Sequence, residues 1–235
     1  MSLPKIYSLK IGYSNSVLIR NGNRSVLVDT GVHGFMLMFQ RYFKHIGVQF
    51  SDIQLIILTH VHYDHTGNLK ELKRITGARV AVNEHEYLNL KKGYIEIPAG
   101  ITPATRIISG VGRILFRRFS SPPPFEADQV IENEYDLSEI GIEGKIIYTP
   151  GHTLGSQSVI IGKTLLAGDT FLNIKDGLVF PHFVNDPARL LKTWEQLFQA
   201  GVEEVYPGHG SKFGIGNAYS EFEKWSKVFS KTGRG

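Results

Sequence analysis

The sequence predicts an α/β layered fold. Short segments rich in β-branched residues alternate with amphipathic helical stretches along the chain. One apolar run, Ile53 to Leu58, has the near-continuous hydrophobicity of a strand buried on both faces. The clearest turn and cap signals, Asn21-Gly22-Asn23 and Asp186-Pro187, fall between such segments and not within them.

Taken in order, the chain opens with strands at Ile6 to Ile11, Ser16 to Arg20 and Ser25 to Asp29, the last two joined by the Asn-Gly-Asn hairpin turn. Phe35 to Ile46 has helical spacing, with Gln40, Arg41 and Lys44 on its polar side. The buried strand Ile53 to Leu58 ends at Thr59-His60. A helix over Asn68 to Thr76, a strand over Arg79 to Val82 and a helix over Glu84 to Leu90 follow. From Lys91 to about Phe125 the periodicity is lost amid five prolines, and the stretch reads as an insertion of the lid or binding-loop kind. Strands resume at Gln129 to Ile131, Lys145 to Tyr148, Ser158 to Ile161 and Thr164 to Leu166. Asp186 caps a helix with proline at its first position, running to about Ala200. A short strand, Glu204 to Tyr206, and a last helix, Asn217 to Phe229, complete the pattern.

Composition limits the chemistry. The 235 residues are 42% hydrophobic and 20% charged, ordinary globular values for one large domain or two small ones. There is no cysteine, so disulfides and thiolate metal sites are excluded, and any metal rests on His and carboxylates. A cysteine-free chain suits the cytoplasm. The first twenty residues lack the basic start and apolar run of a signal peptide, and no apolar run approaches the ~20 residues of a membrane span. The net charge of +4 comes from scattered Lys and Arg with one local cluster at Arg113, Arg117 and Arg118. That is the pattern of a solvated surface, and a nucleic-acid partner is disfavoured.

The informative stretch is Thr59 to Gly67, THVHYDHTG, which puts three of the nine histidines and one aspartate into six residues. Composition alone yields such a pattern on the order of 0.0005 times per chain. It sits on the turn leaving the buried strand, where a rigid backbone feeds side chains free to converge. His60 and His62 can point toward one ion, and Asp64 and His65 can reach a second beside it. Imidazole and carboxylate at this spacing suit zinc, iron or manganese. Further donors recur in one context: His152 in TPGHTLGS, Asp169 in LLAGDTF and His209 in VYPGHGS each follow an apolar run and sit beside glycine. Asp29 in VLVDTG occupies the same kind of position and is a candidate to orient a ligand imidazole. Strand ends each delivering a His or Asp describe one rim of a sheet.

These motifs, in this order over residues 28 to 210, resemble the metallo-β-lactamase superfamily. The resemblance implies a four-layer α-β-β-α sandwich with the metals at the edge where two sheets meet. It implies that His60, His62 and His152 hold one metal, that Asp64, His65 and His209 hold the other, and that Asp169 bridges both. It also implies a catalytic role for Asp64, which orients the nucleophile and later carries a proton. We therefore read residues 1–235 as a single metallo-hydrolase domain with a lid or binding insertion at about 91–125.

Departures narrow the branch. One group of true β-lactamases needs a cysteine ligand, and another lacks an aspartate at the bridging position, where this chain has Asp169. Flavodiiron proteins carry Glu where this chain has His62. The chain looks more like glyoxalase II and related hydrolases. Only 26 residues follow His209, too few for glyoxalase II's helical glutathione-binding domain, so a small thioesterase fits better. Acyl-homoserine-lactone lactonases have a tyrosine just after the bridging aspartate, where this chain has Phe171.

The expectation is a metal-dependent hydrolase that uses a metal-bridged hydroxide on a small ester, thioester or lactone. It would carry two divalent metal ions, zinc first and iron or manganese as alternatives. Other readings stay open: a mononuclear iron oxygenase resembling persulfide dioxygenases, a phosphodiesterase or nuclease, and a non-catalytic metal-binding module. The segment GVGRILFRRFSSPPPF interleaves apolar residues with arginines, which suits a lid, a contact between two copies in a homodimer, or a membrane-surface patch. His182 is a candidate pocket residue, Tyr63 a candidate pocket wall, and His33 a local turn contact. His45 and His85 face solvent on helices.

Overall fold

In the computed structural model, residues 4–115, 123–175 and 177–231 are described. The side chains of Arg113, Ile114 and Leu115, and all of Phe116, Arg117, Arg118 and Phe119, lie outside the described residues.

Two six-stranded sheets carry the fold. The first takes strands β1 (Lys5–Ile11), β2 (Ser14–Asn21), β3 (Arg24–Val28), β4 (Ile53–Ile57), β5 (Arg79–Asn83) and β6 (Gln129–Ile131) in sequence order. Its hairpin-linked strands β1, β2 and β3 are antiparallel; β3 through β6 are parallel. Parallel neighbours need long crossovers, and these hold helices α1 (Met36–Ile46), α2 (Tyr63–Thr66), α3 (Leu69–Thr76), α4 (Glu84–Lys92) and α5 (Pro103–Leu115). The second sheet orders β7 (Glu134–Asp136), β8 (Lys145–Tyr148), β9 (Gln157–Ile161), β10 (Thr164–Gly168), β11 (Glu204–Pro207) and β12 (Phe213–Gly214). Only β10 and β11 are parallel there, linked through α6 (Pro187–Gln199); α7 (Tyr219–Lys231) follows β12.

The period-2 alternation of the strands builds the layers. Leu18, Leu27 and Ile56 face outward to Phe39, Phe43 and Leu72 of α1 and α3. Their neighbours Val17, Ile19, Val26, Leu55 and Ile57 face inward to Ile146, Val159 and Leu166 of the second sheet. Leu165 and Val205 then pack outward on Leu190, Trp194 and Trp225 of α6 and α7. Helix, sheet, sheet, helix: this is the expected four-layer sandwich.

Three features depart from the sequence expectation. The segment read as aperiodic contains the thirteen-residue helix α5. Pro103 occupies its first turn and the Thr102 hydroxyl accepts the Thr105 amide (3.2 Å), a serviceable start. Its apolar residues Ile107, Ile108 and Val111 are exposed, so its described side chains do not form the buried stripe that marks a core helix. Strands β7 and β12 were too short, at three and two residues, to give any pattern.

The carboxyl ends of β3, β4, β10 and β11 share one edge, and hydrogen bonds stitch the sheets there. Gln157 N donates to Thr59 O (2.8 Å) and Asn15 N to Gly208 O (2.7 Å). Among the described residues, no helix is long and apolar enough to cross a membrane.

Candidate metal centre

All seven residues singled out in the sequence arrive at this edge. His60 and His62 lie on the turn after β4, and Asp64 and His65 in α2. His152 lies between β8 and β9, Asp169 just past β10 and His209 past β11. Ligand atoms of His60, His62, His152 and Asp169 all lie within 4.8 Å of one another, and so do those of Asp64, His65 and His209.

The outward ring nitrogen of each imidazole is held, which turns the other inward. His152 Nδ1 donates to Phe183 O (2.9 Å), His62 Nε2 to Glu96 O (3.2 Å) and His209 Nδ1 to Tyr13 O (3.0 Å). Carbonyl oxygens only accept, so each of these nitrogens carries the proton. His65 Nδ1 donates to Asp29 Oδ2 (2.8 Å). The Thr59 hydroxyl donates to Asp29 Oδ2 (2.8 Å) and therefore accepts from His60 Nδ1 (3.0 Å). Asp29 is thus the orienting carboxylate expected from its position, held at a left-handed φ of 62°.

The inward atoms are crowded. His60 Nε2 lies 2.8 Å and His152 Nε2 3.2 Å from His62 Nδ1. With their outer nitrogens protonated, these three present lone pairs to one another. Asp169 reaches both groups: its Oδ1 lies 3.3 Å from His65 Nε2 and 3.4 Å from His209 Nε2, its Oδ2 3.6 Å from His152 Nε2. Asp64 Oδ2 lies 3.2 Å from His209 Nε2. His65 Nε2 and Asp169 Oδ1 are fully buried and make no hydrogen bond. Converging lone pairs and orphaned buried atoms are what a metal-ligating set looks like, and the residues fit two divalent cations.

Electrostatics agree. Burial, aided by neighbouring imidazoles, holds His60 well below the ordinary histidine range, and burial takes His152 to about 3. Both offer neutral nitrogens, the form a metal needs. Burial also disfavours charge on His65 and His209, but Asp169 with Asp29 and Asp64 outweighs it. His65 goes well above its usual value and His209 up to about 10. Burial raises Asp169, yet His209 and His65 bring it well below the usual carboxylate range. The carboxylates therefore favour positive charge at the second group, where a cation would sit.

Local backbone makes the convergence feasible. A Cβ at Gly208 would lie 2.2 Å from Asp169 Oδ1, so only glycine lets β11's turn pass the carboxylate. The start of β2 braces the second group: Ser14 Oγ donates to Asp64 O (2.6 Å), and Asn15 Nδ2 to Pro207 O (2.9 Å) and Gly210 O (2.8 Å). Tyr13 stacks on His209 (6.0 Å between ring centroids) and sets its edge against Tyr63 (6.4 Å). Both phenols are partly exposed at the rim, and burial pushes both above the usual range, so they stay neutral donors.

The sequence reading missed Tyr13 in the β1–β2 turn and Ser14 and Asn15 at the start of β2, which carry no metal-ligand signature. His33 makes the expected turn contact, Nδ1 to Gly67 O (3.0 Å). His45 and His85 are exposed and His182 is half-buried. Phe171, compared above with a lactonase tyrosine, is buried against Trp194 (4.3 Å, stacked) and belongs to the core.

Comparison with known proteins points the same way. The family model described as the metallo-beta-lactamase superfamily matches residues 9–209. A protein of Methanocaldococcus jannaschii named "Probable metallo-hydrolase" is 28% identical over 208 residues, 85% of this chain and 89% of its own. A hydroxyacylglutathione hydrolase of Shewanella pealeana is 29% identical over 125 residues, 53% of this chain and 35% of its own. The crystal structure of an archaeal metallo-beta-lactamase superfamily protein from Sulfolobus tokodaii superposes with a TM-score of 0.67 at 20% identity, covering 95% of this chain and 86% of that one.

Proposed function

The chain belongs to the metallo-β-lactamase superfamily and is a hydrolase of that fold, and we propose that it acts with two divalent metal ions, zinc foremost, on a small ester, thioester or lactone. His60, His62 and His152 would hold one ion and Asp64, His65 and His209 the other, with Asp169 facing both. The observation that carries this reading is the convergence of seven donors whose inward atoms, His65 Nε2 and Asp169 Oδ1 above all, find no other partner. The likeness to a hydroxyacylglutathione hydrolase supports the thioester class.

When bound, such ions supply Lewis acidity: they lower the pKa of water and polarise the attacked oxygen. The chain's residues do the rest. Asp64, close to His209 Nε2, orients the attacking water and takes its proton at Oδ2, then returns it to the leaving group. Tyr13 and Tyr63 stand at the rim as neutral phenols that can donate to a substrate carbonyl and offer an aromatic wall. The 91–125 insertion serves the pocket, since it supplies the Glu96 carbonyl that orients His62. A cysteine-free chain fits a cytoplasmic location, and the exposed apolar residues of α5 offer a surface for a second copy.

The test is a panel of thioesters, aryl esters, lactones and phosphodiesters, run on native protein, on chelated protein and on chelated protein resupplied with zinc or manganese. The reading expects thioester or ester turnover that chelation abolishes and metal restores. Turnover insensitive to complete metal removal, or oxygen uptake with a persulfide in place of hydrolysis, would overturn it.

A further inference from the structure

Glu86 is a buried carboxylate that the reaction does not use. It lies in the first turn of α4, 5% exposed, without a lysine or arginine partner among the described residues. Burying a carboxylate is costly unless its oxygens are well satisfied. Helix α4 does not require it: Asn83 caps the helix by accepting the His85 amide (3.1 Å), and exposed Glu84 already supplies an acid to the first turn.

Its partners lie instead on two metal-site turns. Glu86 Oε2 accepts the amide of Val61, the residue between His60 and His62, at 3.2 Å across 25 positions of sequence. Thr153 and Gly155 of the His152 turn also lie against the carboxylate, Gly155 in close packing with it. Thr153 follows His152 directly, and its own amide donates to Ser156 Oγ (3.0 Å). The two hydroxyls lie 2.8 Å apart. Glu86 thereby adjoins the hydrogen-bonded Thr153–Ser156 pair of the His152 turn. The fit is tight: a Cβ at Gly155 would come within 2.5 Å of Glu86 Cγ, so glycine there serves close packing.

We propose that Glu86 is a positioning residue, a carboxylate that clamps the turn carrying His60 and His62 to the turn carrying His152 and so sets the three imidazoles of one metal group at a common distance. The inference rests on the metal reading above. A carboxylate, with two acceptor oxygens, can face the donors of both turns at once. An apolar residue would fill the space but leave the Val61 amide unpaired, and the two turns would lose the group they share. The other group, Asp64, His65 and His209, is braced separately by Ser14, Asn15 and Tyr13. Loss of Glu86 therefore acts on one group alone.

The test compares wild type with Glu86→Ala, Glu86→Gln and His152→Ala. Cobalt(II) is titrated into chelated protein against a competing chelator and followed by absorption, giving the affinity of each binding event. Amide hydrogen exchange of metal-free protein is measured at Val61 and Gly155. Glu86→Ala is expected to weaken about tenfold or more the same event that His152→Ala removes, to leave the other event unchanged, and to speed exchange at both amides. Glu86→Gln, which keeps one carbonyl acceptor, is expected to fall between. Unchanged affinities in folded Glu86→Ala, or equal losses at both events as a general folding defect would give, would overturn the proposal. If Glu86→Ala does not fold, Glu86→Gln carries the test with the same readouts. A wild type that binds no metal would defeat the metal reading, while exchange at Val61 and Gly155 would still decide whether the clamp exists.

Discussion

At the scale of single residues, the site is a matter of which nitrogen each histidine turns inward. Asp29 decides this for His65 and, through Thr59, for His60. Asp29→Ala is expected to lower metal affinity about 10- to 100-fold, the usual cost of losing an orienting partner; chelator competition would measure it, and an unchanged affinity would contradict the assignment. Gly208→Ala sets a methyl 2.2 Å from Asp169 Oδ1. It should abolish binding of at least one ion while the metal-free protein keeps its far-ultraviolet circular dichroism. The seven converging donors were legible in the sequence as candidates because each sits in a short local signature at a strand end. Asn15 and Glu86 were not, because their meaning lies in partners 192 and 25 positions away, which no local pattern records.

At the scale of elements, side chains that tie neighbours together carry the predictions. Asp128, just before β6, accepts from Lys73 of α3 (2.7 Å) and from the Val80 amide of β5 (2.7 Å). Some burial opposes its charge, but Lys73 and the Val80 amide win, and its carboxyl is held below the usual value. A depressed folded pKa stabilises above the unfolded value and loses that contribution as pH falls through the folded one. Asp128 is over a third exposed, so solvent screening keeps the effect under about 1 kcal/mol. Asp128→Asn should therefore unfold at lower urea than wild type near neutrality, with the gap closing as pH falls below about 4; a gap unchanged down to pH 3 would exclude the charge as its source. Trp194 of α6 stacks on Phe171 and donates from Nε1 to Thr170 O (2.8 Å), fixing the turn after Asp169. Trp194→Phe should cost about 1–3 kcal/mol, since it leaves a buried carbonyl without that donor. Most strands and helices could be read from periodicity. Helix α5 could not, because Gly110, Gly112 and the flanking prolines mask a helix whose residues Ile107, Ile108 and Val111 face outward.

At the scale of the whole molecule, the two candidate metal-binding groups join the two halves of the sandwich. His60, His62, Asp64 and His65 come from the first sheet's side, and His152, Asp169 and His209 from the second. The four layers follow from alternating strand residues, which is why they were foreseeable. The substrate is not, because the rim is made of Tyr13, Tyr63 and an insertion, and ligands report reaction machinery rather than specificity. Ions that bind only the folded chain should stabilise it by about 2.7 kcal/mol at a hundred times the dissociation constant. The most direct check of the central claim is elemental analysis of protein purified without added metal, repeated on Asp169→Ala. Two divalent ions per chain in the wild type, falling to one or none in the variant, is the result the account predicts. A single iron, or no metal even after reconstitution, would contradict it.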